Sequence, residues 1–318
     1  MRYLHPNDFM ADPSARVFNG KVYIYPSHDR DAGIPENDNG DHFDMQDYHV
    51  FSLDDIENGE VTDHGEILSV KKIAWAGRQL WDNDVAEKDG KYYLYFSLKD
   101  KNDIFRLGVA ISDKPEGPFT AEDNPVKGSY SIDPSVFRDE DGSYYIYFGG
   151  IWGGQLQRYR NNKALETGGT FPAGNEPALC PKMAKLSDDM LEFAQEPRDL
   201  VILDENGRPL MQGDTKRRFF EASWMHKYKG KYYFSYSTGD THLICYSVGD
   251  SPYGPFTYKG VILNPVVGWT THHSIVEYKG KWYLFHHDSV PSGGKTWLRS
   301  MKVTELKYNP DGSIITVI

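Results

Sequence analysis

One local pattern recurs five times along the chain and constrains the fold more than any other feature. A Gly-Lys, Gly-Ser or similar turn precedes an aromatic-rich strand in NGKVYIYPSHD, DGKYYLYFSLKD, DGSYYIYFGG, KGKYYFSYSTGD and KGKWYLFHHD, with turn glycines at Gly20, Gly90, Gly142, Gly230 and Gly280. A short strand-like run leads into each turn: SARVF, DVAEK, PSVFR, SWMHKY and SIVEY. Two β-runs joined through a glycine make a hairpin, so five hairpins are expected. The glycines lie 70, 52, 88 and 50 residues apart, which leaves room for two further strands after each hairpin. Four strands per repeat is a propeller blade, and the pattern predicts an all-β, five-bladed β-propeller as a single domain over residues 1–318. A β-sandwich with a recurrent hairpin is the alternative. The echoes SDKPEGPFT and GDSPYGPFT fall where outer blade strands belong. The polar stretch 160–220 reads as loop insertions above the propeller, with LSDDMLEF open between a helical turn and a strand.

Composition removes several classes of partner. The 318 residues carry 46 acidic and 35 basic side chains, a net charge of −11, which argues against nucleic acid or an anionic membrane. No apolar run approaches the ~18 residues of a membrane span. The 22 Tyr and 7 Trp suit a flat-faced ligand such as a sugar. Cys180 and Cys245 fall in no metal or redox spacing and read as reduced thiols. The start MRYLHPNDFMADP has no apolar signal core, so a cytoplasmic location is expected, with a trimmed secretory signal as the alternative.

An ionisable residue precedes every hairpin turn. Asp12 lies 8 residues before Gly20, Asp84 6 before Gly90, Asp133 9 before Gly142, Glu221 9 before Gly230, and His272 8 before Gly280. The inner strands of a propeller line its central channel, so these positions converge at one mouth. Crowded acids push each other's pKa values apart, at a cost in stability. A reaction needing one carboxylate and one carboxylic acid at neutral pH has a use for that, and glycoside hydrolysis is such a reaction. Alone, Asp12 before Pro13 would be read as a turn opener. The recurrence favours a site.

These residues carry a resemblance. ADPSARVFNGKVYIY, SIDPSVFRDEDGSYYIYFGG and RFFEASWMHKYKGKYYFSYSTGD resemble the three catalytic blades of glycoside hydrolase family 43, and the likeness runs from about Asp8 to Asp311. GDHFDMQDYHVFS, GGIWGGQLQRYR and STGDTHLICYS resemble its bacterial β-xylosidase and α-L-arabinofuranosidase branch. The resemblance implies Asp12 as general base, Glu221 as general acid, and Asp133 as the carboxylate that orients Glu221 and raises its pKa. Phe219, Phe220 and Trp224 flank Glu221 as apolar neighbours. In GWTTHHSIVEY, His272 is preferred over His273 as the fifth-blade histidine, which the family uses to bind water or one calcium ion on the propeller axis; a hydrogen-bonded histidine without metal is the alternative. No organic cofactor is implied.

Trp81 in LWDNDV stands where the family carries Trp-Ala-Pro-Asp and is expected to form a sugar platform, with Asp84 as the retained acid and Asp82 and Asn83 as departures. His286 stands where a tyrosine is usual. His28 and Arg299 resemble pocket-lining positions, which completes an expected substrate-binding set of His28, Trp81, Asp84 and Arg299. The implied activity is an inverting, exo-acting hydrolase that releases xylose or arabinose from β-xylosides or α-L-arabinofuranosides, with a small xylo- or arabino-oligosaccharide as its partner. An endo-arabinanase and a non-catalytic propeller binding module are the alternatives. Insertions at 30–48 and 160–220 are expected to close the pocket that an exo-enzyme needs.

Overall fold

Each of the five glycine turns joins the two inner strands of one antiparallel sheet in the computed structural model, which describes residues 1–166 and 168–318. All five turn glycines have φ between +76° and +83°, a region that a side chain disfavours. In four turns the preceding residue is left-handed as well (Asn19, Asp89, Lys229, Lys279), the two-residue geometry that matches the twist of the flanking strands.

The sheets form a five-bladed β-propeller. Blade one runs Met10–Phe18, Lys21–His28, Asp47–Leu53 and Thr62–Ser69, and blade two Ala76–Lys88, Lys91–Asp100, Phe105–Ser112 and Thr120–Ala121. Blade three is Ser135–Arg138, Tyr144–Phe148, Lys182–Lys185 and Arg198–Asp199. Blade four, Glu221–Tyr228, Lys231–Ser237, Ile244–Gly249 and Phe256–Leu263, gains a fifth strand, Ile202–Leu203, pairing in parallel with Phe256–Leu263. Blade five has only three strands from its own stretch of chain, His273–Tyr278, Lys281–Asp288 and Ser300–Leu306; its outer strand is Arg2–Tyr3 from the start of the chain. That pairing closes the ring by tying the start of the chain into blade five.

The recurrent tyrosines explain how the blades hold together. The residue five after the turn glycine is Tyr25, Tyr95 and Tyr147 in the first three blades, and all three are fully buried. Each hydroxyl donates to a backbone carbonyl of the following blade: Tyr25 to Pro115 (2.8 Å), Tyr95 to Met190 (2.7 Å) and Tyr147 to Pro252 (2.8 Å). A large ring fills the gap between blades while its polar end is satisfied.

The stretch 160–220 differs from expectation. It supplies the two outer strands of blade three and the extra strand of blade four, with a small hairpin, Tyr159–Arg160 with Lys163–Ala164, as its own insertion. Its polarity is that of edge strands, whose outer faces meet water. LSDDMLEF is a tight turn closed by one bridge between Leu186 and Phe193, neither helix nor strand.

Candidate active site

A cavity of about 230 Å³ opens at one mouth of the channel, walled by segments of all five blades. Asp12, Trp81, Glu221, His272 and Arg299 line it, together with Asp82, Phe43, Trp152, Trp269 and Thr270.

Irregular backbone at the start of the inner strands aims these side chains. The pairing register slips between Ala11 and Ser14, between Leu80 and Asn83, and between Glu221 and Trp224. A bulge twists a strand and re-aims the residue it carries. Asp12 (φ 48°) and Ala222 (φ 64°) adopt the left-handed region at two of these points, and Asp133 (φ 58°) does so just ahead of the inner strand of blade three. Asp tolerates this conformation better than most residues; Ala222 does not, which is local strain of the kind found at functional sites.

Asp12 is buried and held by an arginine and a histidine. Arg299 Nη1 donates to its Oδ1 at 2.8 Å, and its backbone N–H donates to His287 Nδ1 at 3.0 Å. His287 Nε2 in turn lies 3.0 Å from the Thr270 carbonyl, and its Nδ1 also lies 3.2 Å from Asp12 Oδ1. Burial works to raise the Asp12 pKa, but the Arg299 charge and the His287 and His272 rings outweigh it and hold the carboxyl well below the usual range. Arg299 is itself clamped by buried Asp29, whose Oδ2 accepts from Nε (2.8 Å) and whose Oδ1 accepts from Nη2 (2.7 Å).

Glu221 sits in the opposite regime. Burial, then the charges of Asp82 and Asp12, push its pKa up to about 8, with Arg299 opposing. Gly150 backs it: a Cβ there would lie 3.2 Å from Glu221 Cβ and 2.6 Å from Ile132. Phe220 lines the cavity beside it, whereas Phe219 packs against Phe234 and Tyr236, and Trp224 is buried with its Nε1 on the Ile275 carbonyl.

Asp133 lies beneath the cavity. Its Oδ2 accepts the N–H of Ala222, the residue after Glu221, at 2.7 Å, which fixes the backbone that carries the acid. Burial, then the neighbouring Asp82 and Glu221, raise its pKa well above the usual carboxylate range. The carboxylates that raise the Glu221 pKa are Asp82 and then Asp12; Asp133, expected in that part, acts on the backbone beside it.

Two of the four expected substrate-binding residues lie elsewhere. Asp84 is buried under the cavity, accepting from Ser14 Oγ (2.6 Å), Arg16 Nε (2.8 Å) and the backbone N–H of Val136 (2.6 Å), so it ties three blades together across the channel. The pairing register slips between Leu80 and Asn83, and Asp82, within that irregularity, takes the place at the cavity. His28 is on the side of blade one, paired with Asp47 and Asp8. Trp81 does form a wall: its Nε1 donates to the Phe43 carbonyl at 2.7 Å, its ring packs 4.6 Å from Phe105, and Gly40 and Gly153 give it room. His286 is buried under blade five, away from the cavity, and burial pushes its pKa down to about 3. Among the described residues, stretch 160–220 contributes only Phe220 to the lining; that side is walled by Ile151–Gly154. A stacked pair, Trp152 and Trp269 (5.4 Å), extends the aromatic surface.

His272 and His273 diverge. His273 is buried, with Nε2 2.6 Å from Ser235 Oγ, while His272 reaches the axis, 3.2 Å from Asp82 Oδ1 and 3.7 Å from Asp133 Oδ2. One donor atom each from Asp12, Asp82 and His272 lies within 4.8 Å of the others. Both His272 nitrogens, Asp82 Oδ1 and Asp12 Oδ2 are buried without a hydrogen-bond partner. Two carboxylates and an imidazole with unspent lone pairs fit a divalent cation; a hard cation such as calcium would take most of its remaining ligands from water.

Comparison with known proteins agrees with this geometry. The family model for Glycosyl hydrolases family 43 matches residues 6–314. A "Xylosidase/arabinosidase" of Bacteroides ovatus is 72% identical over 316 residues, 99% of this chain and 97% of that protein. The solved structure of RS223-Beta-xylosidase superposes with a TM-score of 0.98 at 75% identity, covering 99% of this chain and 98% of that one. CoXyl43, a β-xylosidase/α-arabinofuranosidase from a compost microbial metagenome solved with xylotriose in a calcium-free form, gives 0.97 at 64% identity over 100% and 97% of the two chains.

Proposed function

The chain belongs to glycosyl hydrolases family 43, and from that premise we propose that it is an inverting, exo-acting β-xylosidase and α-L-arabinofuranosidase in which Asp12 is the general base and Glu221 the general acid. One observation carries the reading. Two carboxyl groups line one cavity, Asp12 held ionised by Arg299 and Glu221 held protonated up to about pH 8. That is the division of labour that bond cleavage at neutral pH requires.

Asp12 Oδ1 is occupied by Arg299, while Oδ2 has no partner and is the lone pair left to take a proton from water. As that water attacks the anomeric carbon, Glu221 delivers its proton to the departing oxygen, so the leaving group departs as a neutral alcohol. Asp133 positions Glu221 through the Ala222 N–H. Trp81, Phe43 and the Trp152–Trp269 pair offer apolar ring faces to the sugar and exclude water. A divalent cation held by Asp12, Asp82 and His272 would supply positive charge at the floor of the cavity and order the water there. A cavity walled from all five blades suits the end of a chain better than its middle, and the relatives' names and the xylotriose complex support xylose- and arabinose-terminated oligosaccharides as substrates.

Nitrophenyl β-xyloside, α-L-arabinofuranoside and β-galactoside assayed on wild type, Asp12→Asn and Glu221→Gln test this reading. The first two substrates should turn over and the third should not, and each variant should lose about 10²- to 10⁴-fold in kcat. NMR of the first-formed product should show α-xylose from a β-xyloside. Wild-type rates in either variant, or β-xylose formed first, would overturn the assignment.

A further inference from the structure

Blade one carries a second cluster of metal-ligating side chains that the hydrolytic reading does not use. His28 ends one strand and Asp47 begins its neighbour; the pairing of Ser27 with Tyr48 sets them opposite each other. His49, two residues on from Asp47, shares its face of the sheet. One donor atom from each of the three lies within 4.8 Å of the others. His28 Nδ1 is 2.5 Å from Asp47 Oδ1, and the two imidazole rings are 5.0 Å apart and edge-on. None of the three lines the catalytic cavity.

Two further carboxylates flank the rings. Asp8 Oδ2 lies 3.3 Å from His28 Nε2, and Asp63 Oδ1 lies 3.3 Å from His49 Nδ1. Metal-binding histidines commonly give their second nitrogen to a carboxylate, which fixes the ring and raises its basicity. The His28, Asp47 and His49 side chains remain 24%, 27% and 21% exposed, so an ion can reach them from solvent. Two imidazoles and a carboxylate on adjacent strands are the donor set of zinc and its neighbours, whereas calcium asks for oxygen.

We propose that His28, Asp47 and His49 form a transition-metal site of the zinc class on the flank of blade one, with Asp8 and Asp63 as outer carboxylates and water completing the coordination. Asp29, next in sequence to His28, clamps Arg299, so an ion here braces the strand end that supports the Asp12 side of the active site.

The test is zinc titration of the full-length, metal-stripped protein by calorimetry, with melting temperature read in parallel and cobalt absorption reporting ligand geometry. Wild type should bind zinc at this site and melt higher with it, because the ion binds only the folded strand pair. His49→Ala should bind one zinc fewer and lose that share of the melting shift. Asp63→Asn should bind about 10- to 100-fold more weakly. His272→Ala separates this site from the cavity: it should keep the blade-one zinc. Should His49→Ala fold poorly, His49→Gln carries the same comparison. Equal zinc uptake by wild type and the His49 variants would overturn the proposal, as would a wild-type protein whose bound zinc is all lost in His272→Ala. Either result would leave a protonated His28 bridging Asp47 and Asp8 as an ordinary ion pair.

Discussion

Glu221 carries its proton at neutral pH because burial and the Asp82 and Asp12 charges push its carboxyl up to about 8. In metal-free enzyme, kcat/KM should therefore fall as pH rises through about 8, read from a pH profile on an aryl xyloside. The same shift acts on stability with a definite sign. Between the ordinary value of 4.5 and about 8 the native state holds a proton that the unfolded chain has released, so stability falls with rising pH across that window. Glu221→Gln removes the ionisable group and should melt higher than wild type at pH 7, with the gap closing below about pH 4.5. A variant that melts lower at pH 7 would show that the carboxyl is not held protonated by its surroundings. Asp29 acts at one remove. It meets no substrate, yet Asp29→Asn weakens the clamp on Arg299 and hence on Asp12; kcat should fall about 10- to 100-fold with KM little changed, since the residue acts on the base and not on the sugar. Asp82 was within reach of the spacing argument: it lies 8 residues before Gly90, the same offset as Asp12 from Gly20 and His272 from Gly280, while Asp84 lies only 6 before. Preference for the family's acid hid it.

The hairpins were legible because their turns need glycine and their strands need aromatics, two demands that recur at fixed offsets in every blade. What the pattern did not disclose is the phase of each strand at the cavity, since a bulge shifts a side chain to the other face without any change in composition. The insertion at 30–48 was legible as a closing segment and does wall the cavity, through Phe43 and Met45 among others; its contact with Trp81, and the wall around Gly153, were hidden for a related reason. The segments around Gly40 and Gly153 are irregular, and their proximity to Trp81 follows from packing between blades. A Cβ on Gly40 would lie 2.7 Å from Trp81 Cη2, and Gly40 has φ +71°, so Gly40→Ala is strained in both backbone and contact. The substitution should tilt the Trp81 ring that walls the pocket. We expect kcat/KM on xylosides to fall at least about tenfold, a loss near 1.4 kcal/mol, with a smaller loss of stability of about 1 kcal/mol. Gly20→Ala, whose added methyl meets nothing within 4 Å, shares the backbone penalty without the contact and should leave KM alone, as steady-state kinetics on the two variants would show.

At the scale of the ring, five repeats announced five blades, but nothing in the repeat says which strand closes the circle. Closure falls to a two-residue strand at the start of the chain, Arg2 paired with Val303 and Tyr3 with Lys302, too short to carry a β-pattern of its own. Its anchoring is larger than its length suggests. The Leu4 N–H donates to the Met301 carbonyl at 3.1 Å, the Leu4 side chain is buried, and the Tyr3 hydroxyl donates to Asp288 Oδ1 at 2.8 Å. Asp288 also accepts from Lys302 Nζ at 2.7 Å and directly follows His287, the partner of the Asp12 backbone. Blade five thus holds His272, His287 and Arg299 against the base, while its outer edge is secured by the first residues of the chain. Removing residues 1–4 deletes the buried Leu4 side chain, worth about 1.5–3 kcal/mol, and breaks several hydrogen bonds of about 0.5–1.5 kcal/mol each. The melting temperature should fall by roughly 5–10 °C. Because the five blades brace one another in a closed circle, fluorescence and residual activity should be lost together on heating, in one transition at the lower temperature. If activity disappears well before the tryptophan signal moves, blade five comes away from the ring by itself, and the closing strand guards the active site more than the fold.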